Sequence, residues 1–261
     1  MRASLPQLMN RYPVPVRRGL ADQLVEHLIT AILRGDHPPD SQLPPEGRLA
    51  ELFDVSRLTV REAVKALRSK GVVRIEQGRG TFVNPPSHWS PLDPDLLMAR
   101  AATAEGTREL AMKLTEARVL VEVGVAGLAA RRRTRADLTE LKRALDRMRR
   151  ASDRDDVDGF TEADLEFHGI IMAAAGNPFV TALFEPLVDL LFEVRRASSG
   201  ARLGREKAIA AHARILEALR SGSPEAASDA MVVHMRETAE RIDEVIRQDD
   251  MRLSLPRRIR Q

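Results

Sequence analysis

The stretch that decides the fold runs from residue 43 to residue 84 and reads LPPEGRLAELFDVSRLTVREAVKALRSKGVVRIEQGRGTFVN. Its order predicts a short helix, a tight turn, a second helix and a glycine-tipped hairpin. Asp54 and Val55 form the predicted turn, where aspartate tolerates a left-handed backbone better than most residues. Ser56 then predicts the N-cap of the second helix. This order is that of a winged helix-turn-helix.

The second helix of this run has two chemically distinct faces. Apolar residues follow helical spacing at Val60, Ala63, Val64 and Leu67, and basic residues follow it at Arg57, Arg61, Lys65 and Arg68. A basic stripe alone usually indicates a solvated face, and a glycine hairpin alone is only a hairpin. Here the hairpin carries Arg79 between two glycines, and an arginine on a slim turn fits the narrow minor groove of DNA. The combination favours binding of double-stranded DNA.

Composition bounds the rest of the chain. Its 261 residues allow one small domain and one of about 150 residues, each with its own core. It holds no cysteine, which excludes disulfides and thiolate metal sites and favours the reducing cytoplasm. No stretch approaches about 18 uninterrupted apolar residues, so no membrane partner is expected. The net charge of +3 is too small to indicate nucleic acid by itself.

Proline-rich stretches and helical periodicity divide the chain. We expect a flexible arm over residues 1–18, a DNA-binding domain over 19–84, a linker over 85–99, an all-helical domain over 100–248 and a basic tail over 249–261. Six apolar periodic segments of the helical domain span 105–132, 136–151, 156–175, 178–198, 203–221 and 223–248. The fold class is therefore mainly α, a winged helix-turn-helix followed by an antiparallel helical bundle. Such bundles place ligands between facing helices.

Four polar residues of the helical domain form a candidate metal site. Asp164 and His168 are four residues apart on one helix and project from the same face. His212 and His234 each lie among apolar residues that point their helices at the core. A lone histidine is more often a satisfied core or surface residue than a ligand. Three imidazoles and a carboxylate together suit zinc, nickel, manganese or iron.

The winged domain resembles the DNA-binding domain of the GntR superfamily of bacterial transcription regulators, through LPPEGRLAELFDVSRLTVREAVKALRSKGVV and QGRGTFV. The resemblance implies operator contacts from Arg57, Thr59 and Arg61 in the second helix, to which its basic face adds Lys65. It also implies contacts from Gln77, Gly78 and Arg79 at the wing tip. One departure stands out. The family usually has an arginine where this chain has Gly47, and Arg48 is turned by about 100° from that position.

The helical domain resembles the FCD effector domain of the FadR subfamily, through FTEADLEFHGIIMAAAGNP, AHARILEAL and the last histidine. In metal-containing members this pattern binds one divalent cation, which implies Asp164, His168, His212 and His234 as ligands, with zinc favoured. Because all four positions are filled, the chain is unlike the fatty-acyl-CoA branch. The resemblance further implies that Arg118 faces an effector pocket and that Asn177 is either a helix cap or an effector contact.

These resemblances imply a homodimeric regulator whose affinity for operator DNA depends on a small carboxylate bound at the metal. Repression relieved by the ligand is the family's commonest arrangement, and activation is the alternative. The segment NPPSHWSPLDPDLL is similar to the linker of members that respond to sugar acids such as galactonate or gluconate. Other hydroxy acids, uronates and dicarboxylates remain open, as do a metal sensor and a metal that only holds helices together. An enzyme is not expected, because no H-E-x-x-H or comparable motif is present.

Overall fold

The computed structural model describes residues 19–102 and 104–254 of the chain. The chain forms two compact units, with the boundary between residues 103 and 104. The arm predicted for residues 1–18 and the end of the predicted tail, residues 255–261, lie outside the described residues.

The first unit contains, within residues 19–102, four α-helices, two β-strands and one 3-10 turn. The helices are α1 (Leu20–Leu33), α2 (Glu46–Leu52), α3 (Arg57–Ser69) and α4 (Pro94–Ala101). The strands are β1 (Val73–Glu76) and β2 (Gly80–Val83), and the 3-10 turn spans Pro86–His88. Helix, turn, helix and hairpin follow in the predicted order, and the winged helix-turn-helix is confirmed.

Local sequence signals set the turn between α2 and α3. Asp54 has a φ of 51°, the left-handed conformation predicted for it. The Oγ of Ser56 accepts a hydrogen bond from the backbone nitrogen of Thr59 at 3.0 Å, which caps α3. The apolar face of α3 is buried against α1, with Val60 and Leu67 fully inaccessible to solvent. The opposite, basic face of α3 is thereby left on the surface.

The wing is a two-stranded antiparallel sheet. Val73 pairs with Val83 and Glu76 with Gly80, so the turn at the tip spans residues 77–79. Gln42 adds an isolated bridge to Phe82. Gly71, between α3 and β1, has a φ of +75°, and a Cβ there would lie 2.2 Å from the backbone oxygen of His88. Only glycine fits this junction without a backbone shift.

The segment 85–99, predicted as a linker, differs in the structure because it packs onto the first unit. The indole nitrogen of Trp89 donates to the backbone oxygen of Asn84 at 3.0 Å, and the ring packs against the core. The side chain of Asp93 caps α4 by accepting from the backbone nitrogen of Leu96. Pro94 occupies the first turn of α4, where its missing N–H costs nothing. Proline therefore starts a helix here instead of marking a free linker.

Within residues 104–254 the second unit consists of helices and short connections, without a β-strand. Its helices are α5 (Ala104–Arg132), α6 (Arg135–Asp153), α7 (Val157–Ala174), α8 (Pro178–Phe184), α9 (Val188–Ser198), α10 (Arg202–Ser221) and α11 (Pro224–Ser254). Helix α5 packs against α7 and α11, α6 against α7, and α10 against α11. Short connections between α6 and α7 and between α10 and α11 make these pairs antiparallel.

Two boundaries differ from the predicted segments. The segment 178–198 is split into α8 and α9 by a 3-10 turn at Glu185–Leu187, because Pro186 lacks the N–H that a continuous helix needs. The tail predicted to begin at residue 249 is still helical as far as Ser254, where α11 ends. Among the described helices, none combines the length and apolar character needed to cross a lipid bilayer.

Candidate DNA-binding surface and metal centre

The outer face of α3 presents the predicted DNA-contacting residues. Arg57, Arg61 and Lys65 are exposed, and Thr59 is half-buried beside the cap. The hydroxyl of Thr59 lies 2.8 Å from that of Ser56, which fixes its orientation at the start of the helix. The four side chains belong to the first three turns of α3, the end of a recognition helix that reaches base edges.

Gly47 leaves room for the side chain of Arg57. A Cβ at residue 47 would lie 3.5 Å from the Arg57 guanidinium, so that group lies over the start of α2. Arg48 instead pairs with Glu51 at 3.0 Å on the exposed side of α2. The structure therefore places Arg57 beside the position where the family's usual arginine is missing.

Two of the α3 cations have exposed carboxylate partners. The Nε of Arg61 lies 2.8 Å from Glu46, and the Nζ of Lys65 lies 3.0 Å from Glu62. Exposed ion pairs of this kind contribute about 0–1 kcal/mol. DNA phosphates can therefore replace these carboxylates at little cost.

The wing tip is held by contacts from its own hairpin and from Gln42, which precedes α2. Gly78 has a φ of +74°, which suits a glycine. The side-chain amide of Gln42 donates to the backbone oxygen of Arg79 at 2.8 Å. The exposed guanidinium of Arg79 pairs with Glu76 and lies 5.4 Å from the centre of the Phe82 ring. Gln77 is exposed next to it.

The second unit brings the three predicted histidines together in its interior. His168 of α7, His212 of α10 and His234 of α11 are buried, and a nitrogen from each lies within 4.8 Å of the others. The Nε2 atoms of His168 and His212 are 3.2 Å apart. The Nδ1 of His212 lies 2.7 Å from the backbone oxygen of Ala208, which directs Nε2 toward the group. Neither ring nitrogen of His234 has a hydrogen-bond partner among the described residues.

Asp164 lies at the edge of this histidine group. Its Oδ1 is 3.0 Å from the Nε2 of His212, whereas its Oδ2 pairs with the guanidinium of Arg195 on α9. Asp164 thus contacts His212, another predicted ligand. It also pairs with Arg195, which sequence reasoning missed. Arg195 lies on the buried stripe of α9 with Leu191 and Ser198. An arginine within an apolar stripe is the signal that could have found it.

Glu122 is a second residue that sequence reasoning missed. Its Oε2 lies 2.5 Å from the Nδ1 of His168, and its Oε1 accepts from the Nε of Arg118 at 2.7 Å. A carboxylate behind a histidine orients the ring and leaves its other nitrogen for a metal. Arg118 and Glu122 are four residues apart on α5, a spacing that could have indicated their pairing.

Burial and neighbouring charges set the protonation of this centre. Burial raises the pKa of Glu122, but Arg118, His168 and Arg195 lower it by more. The net pKa is well below the ordinary value, so the group is a carboxylate. Burial lowers the pKa of His212 well below its ordinary value, and the charge of His168 adds to the effect. Burial likewise lowers the pKa of His234, together with His212 and His168. Neutral imidazoles are the form that binds metal.

The two predicted effector residues have different surroundings. Arg118 is fully buried, and its Nη1 and Nη2 atoms have no partner among the described residues. Asn177 caps α8 by accepting from the backbone nitrogen of Phe179 at 3.1 Å. In the part of the chain that the structure describes, no hydrogen bond links Asn177 to the histidine group. Its contact with an effector stays a prediction.

Comparison with known proteins gives the family. The model of the gntR family of bacterial regulatory proteins matches residues 20–83, and the FCD domain model matches residues 113–237. The galactonate operon transcriptional repressor of Escherichia coli is 30% identical over 225 residues, which cover 86% of this chain and 97% of that protein. The chain belongs to the GntR family. It is a transcription regulator with an FCD domain and not an enzyme.

Further relatives agree with this GntR assignment. The regulator LutR of Bacillus subtilis is 35% identical over 214 residues, covering 78% of this chain and 92% of that protein. The repressor NanR of Klebsiella aerogenes is 29% identical over 236 residues, covering 87% and 86%. A solved structure of the Listeria monocytogenes regulator Lar has a TM-score of 0.57 at 21% identity, covers 87% of this chain and 98% of that one, and supports the fold.

Proposed function

We propose that this GntR-family protein is a ligand-responsive regulator that binds operator DNA as a homodimer in the cytoplasm and is released by a small carboxylate. In this proposal α3 enters the major groove and the wing tip enters the neighbouring minor groove. The contacts come from Arg57, Thr59, Arg61 and Lys65 of α3 and from Gln77, Gly78 and Arg79 of the wing. A dimer is favoured because one helix and one wing read too few bases for useful specificity.

The observation that carries the effector half of the proposal is the buried histidine group. Buried polar atoms without partners are rare because each costs free energy, and within the residues that the structure describes both ring nitrogens of His234 are such atoms. One divalent cation per subunit, held by Asp164, His168, His212 and His234, gives one of these two nitrogens a partner. Three imidazoles and a carboxylate suit zinc, with nickel, manganese and iron as alternatives. The cation supplies a Lewis-acidic centre for a ligand oxygen when bound.

Arg118 supports a carboxylate as the effector. Its two terminal nitrogens are buried and have no partner in the described part of the chain, and a guanidinium fork binds a carboxylate through two parallel hydrogen bonds. The names of two relatives, a galactonate operon repressor and a second repressor, favour a sugar acid and repression. Binding of the acid is proposed to change the spacing of the two recognition helices in the dimer, so that the half-sites on DNA no longer fit.

The test is release of the purified full-length protein from its own promoter DNA, followed by fluorescence anisotropy. Galactonate, gluconate, lactate and dicarboxylates are titrated with and without a chelator of divalent metals. We expect a sugar acid to release the DNA only while metal is present. Failure of every sugar acid to release DNA contradicts the effector class.

The same experiment separates two other roles for the metal. DNA affinity that follows zinc concentration without any acid identifies a metal sensor. Chelation that lowers only the melting temperature, with the response to acid intact, identifies a metal that merely holds the helices together.

A further inference from the structure

The connection between α1 and α2 lies along the outer side of the wing. Gln42 forms an antiparallel bridge to Phe82 of β2, and the backbone nitrogen of Leu43 donates to the oxygen of Thr81 at 2.8 Å. A two-stranded hairpin alone is only marginally stable in water, and further pairing restricts its motion. The wing is therefore held by the segment that precedes α2 as well as by its own two strands.

Two neighbouring residues of this segment join the core of the first unit to the wing. Leu43 is 2% exposed and belongs to the core that also contains Val60 and Leu67 of α3. Successive side chains of an extended segment point in opposite directions, so the exposed Gln42 is directed away from that core. A single peptide unit thus separates an anchor beside the recognition helix from a side chain that reaches the wing tip.

The backbone of Arg79 is fixed on both sides. Its nitrogen donates to the backbone oxygen of Glu76 at 3.0 Å, and its oxygen accepts from the Nε2 of Gln42 at 2.8 Å. Gly80, the next residue, has a φ of +119°, and a Cβ there would lie 2.3 Å from the same Nε2. A side chain at residue 80 would therefore displace the amide of Gln42. The glycine leaves room for the hydrogen bond that fixes the tip.

The side chain of Arg79 projects from this fixed backbone. It is 71% exposed, and its guanidinium lies 5.4 Å from the centre of the Phe82 ring. A narrow minor groove attracts arginine through its enhanced negative potential, and A·T-rich DNA has such a groove. A tip that already has its bound conformation loses less conformational freedom when DNA binds.

We infer that Gln42 is a positioning residue for DNA binding, which holds the wing tip where Arg79 enters the minor groove. The inference rests on the DNA contacts of the proposed function and adds a residue that acts through one of them. Gln42 itself needs no contact with DNA. The preference of this protein for A·T base pairs under the wing should therefore depend on Gln42 as well as on Arg79.

The experiment measures the affinity of the full-length protein for its own promoter DNA by fluorescence anisotropy at one salt concentration. Hydroxyl-radical footprinting first locates the minor grooves that the protein protects. Two versions of the DNA are then compared, with only A·T or only G·C base pairs at those grooves.

Two variants remove the hydrogen bond of Gln42 without changing charge. Gln42→Met keeps the length of the side chain and has no donor, and Gln42→Asn keeps the amide but is one methylene too short. We expect each to lower affinity for the A·T version about 3- to 10-fold, the range that one net hydrogen bond covers. Affinity for the G·C version should change less than about twofold.

A background without the positioned side chain is the matched control. Arg79→Ala should lower affinity for the A·T version about tenfold. Adding Gln42→Met to Arg79→Ala should then change affinity less than about twofold, because no guanidinium remains to be positioned. A purely structural Gln42 would lower affinity by the same factor in both backgrounds. Urea unfolding followed by Trp89 fluorescence checks that the variants fold.

Each outcome has a separate meaning. An equal loss on both DNA versions and in the Arg79→Ala background overturns the inference, because Gln42 then acts without Arg79. Unchanged affinity of both Gln42 variants for the A·T version also overturns it and leaves the DNA contact of Arg79 standing. If Arg79→Ala changes affinity for neither DNA, the inference fails together with the wing contact of the proposed function, but binding through α3 does not.

Discussion

The winged unit and the helical unit hold their charged residues in opposite ways. In the winged unit, Arg61, Lys65 and Arg79 are exposed, and each pairs with a single carboxylate of its own surface. In the helical unit, Arg118 and Arg195 are buried, and several of their nitrogens have no partner in the described part of the chain. Arginine therefore pairs with an exposed, exchangeable carboxylate in the winged unit. In the helical unit it is buried, and only some of its nitrogens have a partner among the described residues.

The difference in burial determines what each unit can do. An exposed ion pair contributes about 0–1 kcal/mol, so DNA phosphates can replace the glutamates of the winged unit with little loss. A buried polar group without a partner costs about 1–3 kcal/mol, more when charged, which a bound metal or anion can recover. The first arrangement suits rapid and salt-sensitive binding of a polyanion. The second suits selective binding of a small ligand that pairs with these buried nitrogens.

The largest expected effect is on the buried side of this comparison. His234→Leu introduces an apolar side chain of similar size and removes two ring nitrogens that have no partner among the described residues. We expect zinc affinity to fall at least about 1,000-fold, beyond the roughly 10- to 100-fold that loss of an outer partner costs. Isothermal titration with zinc measures this, and thermal unfolding without metal should show no loss of stability.

A graded comparison comes from Glu122→Gln, which removes the carboxylate that orients His168. Its loss of zinc affinity should stay within about 10- to 100-fold. Equal effects of the two variants would argue that His234 does not bind the metal directly.

The next effect concerns the backbone that supports the wing. Gly71→Ala places a Cβ 2.2 Å from the backbone oxygen of His88 and forces alanine to a φ of +75°. Strain of this kind and the clash together should lower the free energy of unfolding of the first unit by about 3 kcal/mol. Trp89, the only tryptophan of the chain, reports unfolding by its fluorescence in urea.

Gly78→Ala is the matched control, since Gly78 has a similar φ of +74° but no described atom lies within 4 Å of the added Cβ. It should cost about 1 kcal/mol, from the left-handed backbone alone. Equal losses of unfolding free energy at the two positions would mean that the backbone of His88 does not clash with a Cβ at residue 71.

A smaller effect is expected for the exposed cations of the winged unit. Arg61→Ala removes a cation from the outer face of α3, and operator affinity should fall about tenfold, near the lower end of the range for a base-contacting arginine. Fluorescence anisotropy with operator and scrambled DNA at one salt concentration measures the loss and its sequence dependence. Arg48→Ala, beside Gly47, is the control and should change affinity less than about threefold. A larger loss for Arg48 would show that it replaces the family's usual arginine after all.

Sequence alone predicted what depends on local spacing. The cap at Ser56, the left-handed Asp54 and the split of α3 into apolar and basic faces all follow from residues within a few positions of one another. The three histidines were also found, because each lies in an apolar segment of its own helix. Their placement in one buried group depends on packing of separate helices.

The partners of this group could not be predicted in the same way. Glu122 and His168 are 46 residues apart, and Asp164 and Arg195 are 31 residues apart. No local periodicity links such pairs, and only the packing of α5, α7 and α9 brings them together. The prolines of residues 85–99 predicted a linker, and the helix that begins at Pro94 could not be predicted for a related reason. Pro94 permits a helix start, and burial of Leu96 and Leu97 makes that helix part of the first unit.

The smallest expected effect comes from Lys70, whose ammonium lies 2.7 Å from Asp93 and 2.8 Å from Asp95, between the exposed and buried extremes. Burial lowers its pKa, but the hydrogen bonds to Asp93 and Asp95 raise it further, to a net value above the ordinary 10.5. Because the pKa is higher in the folded state, the stabilisation is fully present below about pH 10.5 and is lost as the pH rises through the folded-state value. Lys70→Met should therefore cost less than about 1 kcal/mol at pH 8, because the group is partly solvated, and the gap from the original protein should close above pH 10.5. Urea unfolding followed by Trp89 fluorescence at pH 8, 10 and 11 measures the gap, and a difference that does not change with pH would assign the effect of Lys70 to packing instead of charge.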